Sequence, residues 1–334
     1  MREFGYLNKK INEHVVDLEK TYKMPIEEYL EFMSYIYKFS DDIAIPAGNY
    51  FNENRKKVYD LRYKIGLSYE ETIRIILKFL NTIDPSLCDI FNQLIEDGTI
   101  IFQNEKELKK LQISKENFYY FYNLAGIHNG KKIINIILKN NISDIFTIVH
   151  EFTHYLSIKT LNEKSITWLH FTEGYSRTFE ILLLKYLSSN QKFALEAKKY
   201  YIELMYYMCL RIFEFRKEFV CFDIFCNYGS FTPQKVIKYC SAESLKEKNA
   251  TNILNGARIS ERYMLETSRT LREYLEDSRY VLAILFSNNI LDSFFEFKAE
   301  ILEDIFTLEE KSYEYYFDKY DLEKSDNYQK IFRI

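Results

Sequence analysis

A mostly α fold with a small mixed β-sheet is predicted by three observations. The chain has 9 Gly and 4 Pro, 13 of 334 residues, about a third of the usual share. That leaves few positions for the turns of an all-β fold or for interdomain linkers. Apolar residues recur at helical spacing over most of the length. Runs rich in β-branched residues are confined to one stretch, from Thr99 to Leu138.

The elements follow in order. From Pro25 to Lys38 the residues Ile26, Tyr29, Leu30, Met33 and Tyr37 form one stripe, with Pro placed where a first helical turn tolerates it. Ser68 with Glu71 three positions on is a capping box, followed by Ile73, Ile76, Leu77 and Leu80. A third helix starts at Asp84-Pro85 and stops at Gly98. Thr99 to Phe102 and Lys132 to Leu138 are β-branched runs bounded by polar or turn positions, and they predict a small sheet. Helical periodicity returns at Ser143, a capping candidate, and persists through long striped segments near 193–225, 259–287 and 293–318. A chain of this length divides its core readily, so an N-terminal helical lobe over 1–97 is expected to flank a cleft with a second part over 98–334.

Bulk properties exclude several classes. Forty-five Lys and Arg against 49 Asp and Glu give a net charge of −4, with no basic tract able to follow a phosphate backbone, so no nucleic-acid partner is expected. The longest apolar run, Tyr280 to Phe286, is far short of the roughly 20 residues that span a bilayer, so no membrane partner is expected either. The first residues lack the apolar stretch of a secretory signal, which predicts a cytoplasmic location. Five Cys without a C-x-x-C pair argue against both a disulfide framework and a thiolate zinc site. The 29 Tyr and 27 Phe beside a single Trp are expected mostly in the core. No feature specifies an oligomeric state.

One segment carries chemistry. His150-Glu151-Phe152-Thr153-His154 reads H-E-x-x-H after the apolar helical run Asp144 to Val149. Residues four apart on a helix share a face, so both imidazoles can converge on one ion while Glu151 reaches its open side. That donor set suits Zn2+, one per chain. A catalytic zinc takes three protein ligands and a water. The next helical segment, His170 to Glu180, offers two carboxylates seven residues apart on one face: Glu173 as third ligand, and Glu180 behind it against a ligand imidazole or nearby backbone. His128 and His170 read as structural.

These residues resemble the thimet oligopeptidase and oligoendopeptidase F family of zinc metallopeptidases. Ile133-Ile134-Asn135 followed by Ser143 to His154 is similar to that family's strand and Asp-Val-x-Thr-Leu-x-His-Glu-x-Gly-His helix. Phe171-Thr172-Glu173 with Ser176 and Glu180 is similar to its Phe-Val-Glu-x-x-Ser element. The resemblance covers about fifty residues, Ile133 to Leu182. It implies a zincin-like catalytic part in which Ile134, Asn135 and Ile136 form the edge strand that pairs with an extended peptide. It also implies a C-terminal helix whose His and Tyr contact the peptide carbonyl. Here no His follows His170, and Arg279-Tyr280-Val281 is the nearest likeness, so Tyr280 is the oxyanion candidate and Tyr274 the reserve. Thr153 stands in place of the family's Gly, Ser157 in place of a further His, and only 19 residues separate His154 from Glu173. The chain is also much shorter than the family's, which bears on substrate scope and the covering lobe more than on the ligands.

The expected function is zinc-dependent hydrolysis of internal bonds in oligopeptides or an extended precursor segment, with Glu151 as general base. A non-catalytic, zinc-containing peptide-binding or regulatory module is the alternative, disfavoured because zinc ligation alone does not need Glu151. A zinc hydrolase acting on a non-peptide bond is the third reading.

Overall fold

The computed structural model describes residues 4–22, 24–104, 108, 123–128, 130–158, 165–245, 247–267, 269–322 and 332. Helices dominate, with a mixed three-stranded sheet between two helical stretches. The first stretch is α1 (Gly5–Tyr22), α2 (Ile26–Tyr59), α3 (Tyr69–Ile83) and α4 (Pro85–Glu96). Strands β1 (Ile100–Asn104), β2 (Leu124–His128) and β3 (Lys131–Leu138) follow. Then come α5 (Ile142–Ser157), α6 (Ile166–Ser188), α7 (Ala194–Tyr228), α8 (Pro233–Ala242), α9 (Glu247–Glu266), α10 (Leu271–Leu275), α11 (Ser278–Leu291), α12 (Lys298–Phe306) and α13 (Tyr313–Lys319).

Local chemistry sets most boundaries. The Ser68–Glu71 capping box opens α3, and Asp84 caps α4 by accepting the Ser86 N–H, with Pro85 in the first turn. Helix α2 runs about twenty residues beyond the predicted Lys38, because its buried stripe continues through Phe39, Ile43, Ala47 and Tyr50. Pro46 inside it deprives the carbonyl of the exposed Asp42 of its helical partner, on a side where water can replace it. The segment expected over 259–287 is broken into α9, α10 and α11, since Thr270 and Glu273 form a new capping box. Ser143 is not the cap of α5. Asn141 takes that place, its side chain accepting the Ser143 N–H at 2.9 Å while Asp144 closes the box.

The sheet order is β1-β3-β2, with β1 parallel and β2 antiparallel to β3. The expectation that Ile134, Asn135 and Ile136 form an exposed edge is therefore corrected: they lie in the central strand. The Ile134 N–H donates to the Thr99 carbonyl at 3.0 Å, and the Asn135 side chain, fully buried, accepts from Gln103. A strand hydrogen-bonded on both sides has no main-chain groups left for a substrate. The outer positions belong to β1 and β2; among the described residues no strand pairs with the far side of either.

A continuous apolar core joins both helical stretches, from Phe4 and Phe32 through Ile148 and Phe171 to Leu322. Helix α6 lies at its centre, buried on nearly every face. Its closest approach is to α11 at Gly174, where an added Cβ would stand 2.5 Å from the Phe286 ring. No helix among the described residues is long and apolar enough to cross a membrane.

Candidate metal centre

Helices α5 and α6 converge on one point. His150 Nε2 and His154 Nε2 lie 2.9 Å apart, and Glu173 Oε2 is 3.4 and 3.2 Å from them. All three ligand atoms fall within 4.8 Å of one another. The helical spacing predicted from H-E-x-x-H thus brings the imidazoles together, and α6 delivers the third donor.

The second nitrogen of each ring is also engaged. His154 Nδ1 is 2.8 Å from Thr172 Oγ1 and 3.3 Å from Ser176 Oγ. His150 Nδ1 stands 3.2 Å from Glu180 Oε1, near enough for the carboxylate to favour a proton on that nitrogen, although the off-line approach closes no hydrogen bond. With a proton on each Nδ1, as metal ligation through Nε2 requires, both Nε2 atoms present lone pairs to each other and to Glu173. Glu173 Oε2 is itself buried without a hydrogen-bond donor. Three acceptors around one point with no donor between them fit a cation, and two imidazoles with a carboxylate fit zinc.

Charge around the cluster is balanced by Arg177, one turn along α6. Its guanidinium pairs with Glu180 and lies 3.7 Å from Glu173 Oε1. Burial opposes ionisation of Glu173, but His150, His154 and Arg177 outweigh it and hold its carboxyl well below the usual range. Glu180 behaves alike: burial is overcome by Arg177 and His150, and the group stays ionised. Burial disfavours the imidazolium of His150, yet Glu173 and Glu180 raise its proton affinity. Tyr200 from α7 donates its hydroxyl to Glu180 Oε1 at 3.2 Å, so that carboxylate is tied from three elements.

Glu151 is 9% exposed, and its Oε2 accepts the Ala125 N–H from β2 at 2.7 Å. A cavity of about 260 Å³ brings together Ala125, Glu151, the three ligand residues and Tyr280. That volume is slightly under the roughly 300 Å³ of a typical small-molecule site, so it holds only a short piece of extended chain. The Tyr280 hydroxyl accepts from Arg279 Nη2 at 3.1 Å, and burial, then the charge of Glu173, keeps the phenol protonated.

The structure brings His150, Glu151, His154, Glu173, Glu180 and Tyr280 together. Tyr274 it does not: that ring lies on α10, outside the cavity, covered by the Arg269 guanidinium 4.1 Å above it. Phase along the chain explains the difference, since Tyr280 is on α11 facing α6 while Tyr274 faces α7. His170 is structural, bonded to the Ile166 carbonyl and to Ser278 Oγ. Thr153 is accommodated by donating its hydroxyl to the Val149 carbonyl. Ser157 accepts from Trp168 Nε1 at 3.1 Å and sits 2.9 Å from Thr172 Oγ1, behind His154. Sequence reasoning missed Thr172, Arg177, Tyr200, Arg279 and strand β2. Only Arg177 had a signal, lying one helical turn from both Glu173 and Glu180.

No protein-family model, no curated protein and no solved structure matches the chain, so the chemistry of the site must be read from its own residues.

Proposed function

We propose that the chain is a zinc-dependent endopeptidase with a zincin-like catalytic part, of the kind found in the thimet oligopeptidase and oligoendopeptidase F family. One observation carries this reading: the three-donor cluster of His150, His154 and Glu173 shares a cavity with Glu151, a carboxylate that ligation does not require. Zinc held there supplies a Lewis acid that polarises a carbonyl and lowers the pKa of water.

The chain's own groups supply the rest. Glu151 takes the proton from the attacking water and returns it to the leaving amine. The Tyr280 hydroxyl donates toward the developing oxyanion from the opposite wall. Glu180 and Thr172 orient the imidazoles from behind, which fixes their tautomers. An extended substrate adds to the outer side of β2, using the main-chain groups that alternate with those facing β3 and are not held by Glu151. Because Glu151 is bonded to Ala125 on that strand, the base keeps a fixed register to any chain paired there.

The substrates are oligopeptides or one extended precursor segment. The test is incubation of zinc-loaded protein with a degenerate peptide library, read by mass spectrometry with and without a zinc chelator. Chelator-sensitive internal cleavage is expected; no cleavage by zinc-replete protein removes the reading, leaving a binding module or a hydrolase of other bonds.

A further inference from the structure

Apart from Glu151, whose carboxylate is taken by the Ala125 N–H, each acidic group near the cavity has its own cation. Arg177 serves Glu173 and Glu180, Arg272 serves Glu276 at 2.7 Å, and Arg269 with Arg211 serves Asp277. Arg279 lines the same cavity, yet among the described residues no carboxylate stands within ion-pairing distance of it. One of its nitrogens donates to the Tyr280 hydroxyl, and its Nε is buried with no acceptor at all. A guanidinium presents five donors in a fork that matches a carboxylate. Glu173 and Glu276 stabilise this half-buried guanidinium only from a distance, and its Nε donor is left unmatched, so an anionic partner from outside the chain fits this place.

We propose that Arg279 is the substrate's carboxylate-binding residue, which restricts the peptidase to peptides carrying a carboxylate close to the scissile bond. The inference rests on the peptidase reading for its substrate but not for its measurement. The carboxylate is either a peptide C-terminus or an acidic side chain, and two pairs of probes separate these. One pair is acetyl-Ala-Phe-Ala-Ala with a free acid or an amide end; the other is acetyl-Ala-Phe-Glu-Ala-amide against its Gln counterpart. Binding is read through Trp168, the chain's single tryptophan, which lines the cavity. Because a bound cation would also attract carboxylates, the titrations use full-length protein stripped of metal.

The acid member of at least one pair should bind about 10 to 100-fold more tightly than its neutral partner, as expected for a hydrogen-bonded charge pair. In Arg279→Gln that preference should vanish, the acid and neutral members of each pair binding equally. Equal binding within each wild-type pair, no saturable signal with any peptide, or a preference that survives in Arg279→Gln overturns the proposal. The wild-type comparison decides even if the variant fails to fold. Peptide cleavage indifferent to the carboxylate removes the role of Arg279 and leaves the peptidase reading intact. A carboxylate preference in a protein that cleaves nothing does the reverse.

Discussion

Glu151 on α5 and Ala125 on β2 are joined by a 2.7 Å hydrogen bond, so the carboxylate beside the ligand cluster is fastened to the wall opposite its own helix. Glu151 contributes no ligand to the cluster. Glu151→Gln should therefore retain about one zinc per chain and lose nearly all peptide cleavage, whereas His154→Ala should lose both. Elemental analysis alongside turnover measures this. Near-normal turnover by Glu151→Gln would remove the base, and wild-type protein without stoichiometric zinc would remove the metal.

Glu180→Gln keeps the shape of the side chain but weakens the charge that orients His150 and neutralises Arg177. Zinc affinity or turnover should fall by roughly 10 to 100-fold, the usual effect of disturbing a group behind a ligand. Competition with a chromogenic chelator reports the affinity. Unchanged affinity and rate together would make Glu180 a purely structural partner of Arg177.

Tyr280→Phe preserves the ring that packs against Arg279, 4.9 Å from its centre. A donor role predicts a fall of about 100 to 1,000-fold in kcat with little change in KM. Tyr274→Phe, outside the cavity, should be near neutral. If Tyr280→Phe is silent in kcat, the oxyanion donor is another group.

Gly174 is required by Phe286, whose ring and Cβ stand 2.5 to 3.1 Å from where a methyl would go. Both helices are packed in the core, so Gly174→Ala should destabilise by about 1 to 3 kcal/mol through overpacking. Trimming the obstacle in Gly174→Ala/Phe286→Leu should recover part of the loss relative to the sum of the single variants. Denaturant midpoints of the four proteins test the coupling; simple additivity would mean that the helices shift apart freely.

His14 and His170 are buried, and burial pushes both down to about 4 from 6.5. Between those values the unfolded chain binds protons that the native chain refuses, so stability is full above pH 6.5 and declines as pH falls toward 4. Each histidine contributes at most about 3 kcal/mol to that decline. His14→Phe, placed beside the rings of Tyr29 and Phe222, should flatten the dependence of the urea midpoint over this range. An unchanged slope would mean that His14 takes up its proton while folded.

What was legible in the sequence was local. The two histidines are one turn apart, Glu173 and Glu180 two turns apart, and the Ser68 box spans three residues; such relations survive any tertiary arrangement. The edge strand was misassigned although a signal existed. Ile133, Ile134, Ile136 and Ile137 place apolar side chains on both faces, the pattern of a central strand buried on two sides. Strand β2, Leu124–His128, is half-buried throughout and has no comparable run, so only its pairing reveals it. Ser176 was legible only as part of a resemblance, and the contacts of Thr172 and Ser176 with His154 were not, because a hydroxyl on a helix signals no partner until a neighbouring helix supplies one. Arg279 was silent for a different reason: what sets it apart is that no carboxylate touches it, which emerges only when the cations around the cavity are matched with their partners in space.

Helix α6, buried along almost its whole length, and strand β2, half-open to solvent, face each other across the same cavity. Amide protons around Glu173 are therefore exposed to solvent only when the whole core comes apart, while those of β2 exchange through small local openings. Two walls of one site are thus expected to open on different clocks. The wall that holds the donors keeps its shape as long as the protein is folded. The wall that receives a chain can loosen and re-form many times in that interval, and Glu151, tied to it through Ala125, is the point at which the slow half feels the fast one.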